Sequence, residues 1–161
     1  MTIRIRPIEP DDQSEILALV RERWGDETIV VHGEIFHVAR LEGLKAIISG
    51  ALVGFSHHQM SEDECEIVTL ASIQEGLGVG TALLEALEKL ARANGCKILF
   101  AITTNDNLHA LGFYQRRGFR MVALYADQVK YSRKLKPAIP EIGLNGIPIR
   151  DEIRLEKTIL A

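Results

Sequence analysis

Cysteine is nearly missing from this chain. Only Cys65 and Cys96 occur, with no C-x-x-C spacing and no accompanying histidine pattern, which excludes a disulfide framework or zinc ribbon and leaves no metal-ligand set to propose. Long apolar runs are missing as well: nothing approaches the roughly 18 residues of a membrane span, and MTIRIRPIEPDD has no signal-like apolar core. A soluble, unprocessed cytoplasmic protein is expected. Basic clustering is also absent. The 19 Lys and Arg are scattered against 22 Asp and Glu, for a net charge of -3, so no nucleic-acid stripe is indicated. What is present is 161 residues at 47% hydrophobic content, enough for one globular domain over 1–161 with a real core. No internal repeat or low-complexity segment divides it.

The periodicities predict an α/β (α+β) chain. Thr2 to Arg6 alternates like a short strand, and Pro7 and Pro10 end it before Asp11 or Asp12 caps a helix carrying Ile16, Leu17, Leu19, Val20 and Trp24. After a loop at Trp24 to Glu27, IFHVAR reads as a strand, and KAIIS and ALVGFSHHQ as a hairpin turned at Ser49-Gly50. Cys65 to Ser72 is β-branched enough for the next strand. From Val79, apolar residues at 82, 83, 86, 87 and 90 recur at helical spacing until Asn94-Gly95. Lys97 to Thr103 then reads as a buried strand, making Cys65 to Thr103 a β-α-β unit with a parallel pair. A second helix spans Asn107 to Arg117 with Gly118 closing it, FRMVALY is a strand, ADQVKYSRKLK suits a helix, and Ile153, Leu155 and Lys157 suggest a closing edge strand.

Between that strand and the long helix lies QEGLGVGT, Gln74 to Thr81. Alternating glycines there leave backbone N–H groups bare beside the positive end of a helix dipole, a seat for phosphate. The alternative is a tight turn that needs positive φ. The third glycine of the dinucleotide fingerprint is missing and no G-x-x-x-x-G-K-[ST] loop exists, so neither common nucleotide motif fits.

Thirty residues on, NDNLHALGFYQRRGF decides between those readings. With the glycine loop it resembles the GNAT superfamily of acyl-coenzyme A dependent N-acyltransferases. That family's second motif is complete at Asn107, Ala110, Phe113, Tyr114, Gly118 and Phe119; its cofactor loop is complete at Gly78 and Gly80, with Glu75 replacing the usual Gln or Arg. The resemblance implies a mixed sheet of six to seven strands with helices on both faces and a central parallel β-α-β unit. It implies acetyl-coenzyme A as cosubstrate, without a metal, and an amine as acceptor. Residues Glu75, Gly76, Leu77, Gly78, Val79, Gly80 and Thr81 would cradle the pyrophosphate, with Val68, Leu70, Asn107, Phe113 and Tyr114 along the arm. A carboxylate at Glu75 repels phosphate unless it turns outward, so a non-catalytic acyl-coenzyme A binding or sensing module is the alternative reading. A phosphate-cofactor binder of Rossmann type is remote.

Acyl transfer needs a neutral amine, and at pH 7 an alkyl amine is neutral only about once in 2,500 molecules, a cost of roughly 4.6 kcal/mol. A base is therefore expected. Glu66 resembles the general-base glutamate of the histone-acetylating branch; as a bare residue it is equally an ion-pair partner. His57 and His58 are rivals, of which strand alternation lets at most one serve, and an exposed histidine is the plainer account of either. The resemblance makes Tyr114 the acid for the departing thiolate and Asn107 a coenzyme contact, although Asn107 also suits a helix N-cap. The acyl carbonyl is expected beside Val68 to Leu70, where the parallel strands splay in that family. Cys65 and Cys96 read as structural, which favours direct attack over an acyl-cysteine. Trp24 and His57 are the candidate acceptor contacts, Asp26 and Glu27 would welcome a cationic amine, and the tail from Pro137 is where a homodimer would pack.

Overall fold

The computed structural model describes residues 1–160. Seven strands form one sheet: β1 (Arg4–Pro7), β4 (Glu42–Ile48), β5 (Ala51–Ser61), β6 (Glu64–Ser72), β7 (Ile98–Thr104), β9 (Glu152–Thr158) and β8 (Arg120–Tyr125), in that spatial order. Strands β2 (Thr28–Val31) and β3 (Glu34–His37) pair separately. The helices are α1 (Gln13–Trp24), α2 (Val79–Ala93), α3 (Leu108–Arg116) and α4 (Val129–Leu135). Among the described residues only β6 and β7 run parallel, joined by α2 as the apolar spacing requires. None of these helices is long and apolar enough to cross a membrane.

Two cores sandwich the sheet. Leu83, Leu87 and Ala91 of α2 and Leu111 and Tyr114 of α3 pack on Cys65, Ile67 and Leu99. On the other face, Ile16 and Val20 of α1 and the β2–β3 hairpin (Ile29, Val31, Phe36) cover Phe55 and Ala71. Helices therefore lie on both faces, as expected.

The glycine at 54 sets how closely α2 approaches. A Cβ there would collide with Val79 and stand 2.8 Å from the Ala71 carbonyl, so a bare α-carbon lets the first turn of α2 settle onto β5. Gly54→Ala is expected to destabilise by about 1–3 kcal/mol, the usual cost of overpacking, read as a lower midpoint in urea; an unchanged midpoint would mean the turn moves freely.

Four local expectations need correction. IFHVAR is not one strand: β3 ends at His37 and Val38–Arg40 is a single 3-10 turn. The strand Thr28–Val31 escaped notice, although His32-Gly33 is a two-residue hairpin loop with positive φ at both positions (43° and 78°). Asp12 stands at the start of α1 without capping it; its carboxylate accepts from the Glu9 N–H and from Lys45. Finally, β9 is no edge strand. It sits between β7 and β8, antiparallel to both, and β8 is the edge.

Candidate active site

The site begins with an irregularity in β6. Thr69 pairs with His57 and Ile67 with His58, so Val68 is an extra residue without an opposite number. Such a bulge bends its strand and ends regular pairing. Accordingly the parallel ladder stops at Ile67–Ala101, although β6 continues to Ser72 and β7 to Thr104. Past that point no β6–β7 pairing forms, and Val68 to Leu70 of β6 and Ile102 to Thr104 of β7 together line a cavity of about 490 Å³.

Tyr114 and Asn107 line that cavity from the α3 side, Trp24 from the end of α1, and Glu152 from β9. Asn107 also caps α3, its Oδ1 accepting from the Ala110 N–H at 3.1 Å, so both of its expected roles are compatible. Burial pushes the Tyr114 phenol well above its ordinary range, which keeps it protonated at working pH.

The glycine turn follows β6 directly and opens α2. Gly76 and Gly78 hold φ of 79° and 77°, and Gly78, the N-cap of α2, offers no side-chain cap to the first turn. Those first N–H groups lack intrahelical partners by construction, and added Cβ atoms at 76 and 78 would meet nothing within 4 Å. The turn is therefore open and sits at the positive end of the helix dipole, the chemistry an anion requires. The positive φ expected of the turn is present, and the same turn leaves the first donors of α2 without a side-chain cap. Glu75 is exposed, while Val79 is core and Leu77 packs against it.

Phe113, expected along the coenzyme arm, takes a different place here, and Arg117, which the sequence did not single out, joins it beside the glycine turn. A Cβ on Gly80 would touch the Phe113 ring at 3.3 Å, so Phe113 supports the first turn of α2 from below and does not line the cavity. The Arg117 guanidinium lies 3.7 Å over that ring and donates to Thr81 Oγ1 at 2.7 and 2.9 Å, placing a fixed cation beside the seat. Arg117→Ala is expected to weaken coenzyme A binding about 3- to 10-fold, within the 0.5–1 kcal/mol and more that such charge placements carry, measured by calorimetric titration. Unchanged affinity would leave Arg117 a packing residue.

Glu66 does not line the cavity. Its carboxylate is bound by His32 Nε2 at 2.9 and 3.1 Å, and the bond to Glu66 raises the His32 pKa. His57 is fully buried and not exposed; its Nδ1 shares a 2.7 Å hydrogen bond with Thr69 Oγ1, and burial, then His58, lowers its pKa to about 4. His58 is buried too. Asp26 is committed elsewhere: Thr28 and then Lys136 lower its pKa to about 2, and Glu27 lies 3.6 Å from Arg21. Neither carboxylate lines the cavity. Lys136 donates to the Trp24 and Thr28 carbonyls, both at 2.7 Å, and Ile139, Pro140 and Ile149 line the cavity beside it. The tail thus closes over its own chain.

The His32–Glu66 pair makes a stability prediction. A histidine whose folded pKa is raised contributes fully below its unfolded value near 6.5 and loses that contribution as pH rises through the raised value. The Tm deficit of Glu66→Gln should therefore be larger at pH 6 than at pH 9; an equal deficit would mean that the pair carries no such linkage.

A parallel pair that parts beyond Ile67–Ala101 and is joined through a glycine turn to an uncapped helix start is the arrangement these observations establish. The chain belongs to the acetyltransferase (GNAT) family, whose model matches residues 5–119. It is 41% identical over 145 residues to the uncharacterized protein YxbD of Bacillus subtilis, covering 89% of this chain and 91% of that one. Among solved structures, an IAA acetyltransferase from Bacillus cereus superposes with TM-score 0.74 at 25% identity, covering 98% of this chain and 99% of that one. A Bacillus subtilis acetyltransferase in complex with CoA gives 0.72 at 26% identity, covering 99% and 100%. Fold and family are as the sequence motifs implied.

Proposed function

We propose that this protein transfers an acetyl group from acetyl-coenzyme A to the nitrogen of a small primary amine, by direct attack with both substrates bound. The observation that carries this reading is one cavity that joins the splayed backbone at Val68–Leu70, the Tyr114 phenol and an acceptor chamber walled by Trp24, Ile29, Val31, Ile139 and Ile149. When bound, the cosubstrate supplies an activated acyl thioester. Residues 76–81 hold its phosphates through backbone N–H groups, and Asn107 contacts its arm. The freed β6 amides polarise a carbonyl placed in the splay, worth most where bound substrates exclude water. Tyr114 offers its proton to the departing sulfur. Burial keeps that phenol protonated until the thiolate forms, and the chain's own buried thiols are raised as well, Cys65 to about 12.

Those thiols also favour direct attack. Both cysteines are buried, and burial raises each pKa, so neither supplies a ready thiolate. The apolar walls favour an amine on a compact hydrocarbon skeleton over a polyamine or peptide. A coenzyme-release assay across monoamines, polyamines, amino acids and lysine peptides tests this: apolar monoamines should give the highest kcat/KM. Release that no amine accelerates would overturn it.

A further inference from the structure

Among the described cavity-lining residues, one carboxylate is buried inside the chamber: Glu152, 1% exposed, on β9. Its setting is unusual for a carboxylate. Oε1 accepts from the His32 N–H at 2.9 Å, and Oε2 has only a long 3.5 Å contact from the Ser132 hydroxyl. No cation among the described residues forms a salt bridge with it. Lys136 shares the cavity, but its ammonium is spent on two carbonyls and Asp26. Arg154, two residues along the strand, is taken by Glu64 and Glu156. Arg23, at the mouth, donates to the Ser72 carbonyl.

From this geometry we propose that Glu152, and not Glu66, accepts the proton of the acceptor amine. The proposal rests on the amine-acetylating reading above and assigns its base. An ammonium entering the chamber meets an acceptor-only group that forms no salt bridge, in walls that penalise charge; the His32 charge near it is already partnered by Glu66. Passing one proton to Glu152 neutralises both at once, and burial favours the neutral pair over the charged one, so the amine is deprotonated in place and need not arrive as its minor neutral form. The nitrogen then bonds to the acyl carbon as the carbon–sulfur bond breaks. Tyr114 protonates the sulfur and is reprotonated by the second proton the nitrogen releases, and Glu152 returns the first to solvent.

Every titratable neighbour has a defined place. His32 faces Glu152 from the hairpin loop and holds Glu66 on β6 with its ring; Lys136 faces the chamber from beyond α4, Tyr114 from α3, and Arg23 from α1. Burial is the main cause that raises the Glu152 pKa, opposed by the His32 N–H and charge, with Glu66 adding to the rise. A base held above the ordinary carboxylate range is better matched to an operating pH near neutral. His32 is a positioning residue here, aiming one carboxylate by its backbone and parking the other by its ring.

The test compares Glu152→Gln, Glu66→Gln and wild type. Glutamine keeps the carbonyl that accepts from His32 but cannot take a proton. Expected for Glu152→Gln is a kcat at pH 7 lower by about 10²-fold or more, with the remaining rate rising about tenfold per pH unit as free amine accumulates, and little change in coenzyme A affinity. Glu66→Gln should lose less than tenfold. A second readout needs no turnover. Because the folded pKa is raised, the ionised carboxylate weakens the fold as pH rises from 4.5 through that raised value, so Glu152→Gln should have a Tm at pH 8 no lower than wild type. A structural anion would give the opposite sign. Wild-type kcat and pH profile in Glu152→Gln, in an enzyme that does acetylate amines, would overturn this assignment alone. Wild type that releases no coenzyme in response to any amine would overturn the functional reading and this proposal with it.

Discussion

Tyr114→Phe is expected to lower kcat by about 10²-fold or more while coenzyme A affinity stays within a few-fold of wild type. The loss is the usual contribution of a positioned general acid. The split between kcat and affinity follows from the geometry. Tyr114 packs by its ring, 5.1 Å from Phe119 and 5.4 Å from Phe113 between centroids, and phenylalanine retains that packing in the α2-side core. Only the hydroxyl is deleted. Steady-state kinetics with a turned-over amine, beside calorimetric titration of coenzyme A, separates the effects. Equal losses in both would make Tyr114 a binding residue, and wild-type kcat would leave the sulfur to solvent.

Gly78→Asp is expected to cost about 100-fold in coenzyme A affinity, whereas Gly78→Asn should stay within about tenfold. Position 78 lies at φ 77°, a region that both Asp and Asn tolerate better than other side chains, and neither meets a wall, since a Cβ there has no neighbour within 4 Å. The two variants therefore share backbone strain and shape, and differ by a charge. At about 5 Å and an effective dielectric of 20, one unit of repulsion is worth about 3 kcal/mol, which is roughly two decades of affinity. Equal affinities for the two variants would place the phosphates elsewhere.

What could be read from the sequence was whatever a single element carries within itself. Helix α2 declared its period and its stop, and the parallel pair followed from two apolar strands around one helix. The glycine turn was legible because its residue type is its conformation. The bulge at Val68 was not, since it exists only in the register between β5 and β6, and IVTL spells an ordinary strand. Glu152 was hidden for a similar reason. In IRDEIRLEK its carboxylate resembles its neighbours, and its burial depends on β9 inserting between β7 and β8 after the tail has folded back. Glu66 stood out by its nearness to the glycines, yet the hairpin that covers it arrives from His32, 34 residues away in sequence.

The central claim is that an acetyl group passes to an amine nitrogen in this cavity. Mixing the protein with acetyl-coenzyme A and phenethylamine, then counting free thiol and N-acetylated amine by mass spectrometry in the same samples, tests it directly. The account predicts one amide formed for each thiol released. Thiol released without amide, or no release above the uncatalysed rate with this or any other primary amine, would contradict it.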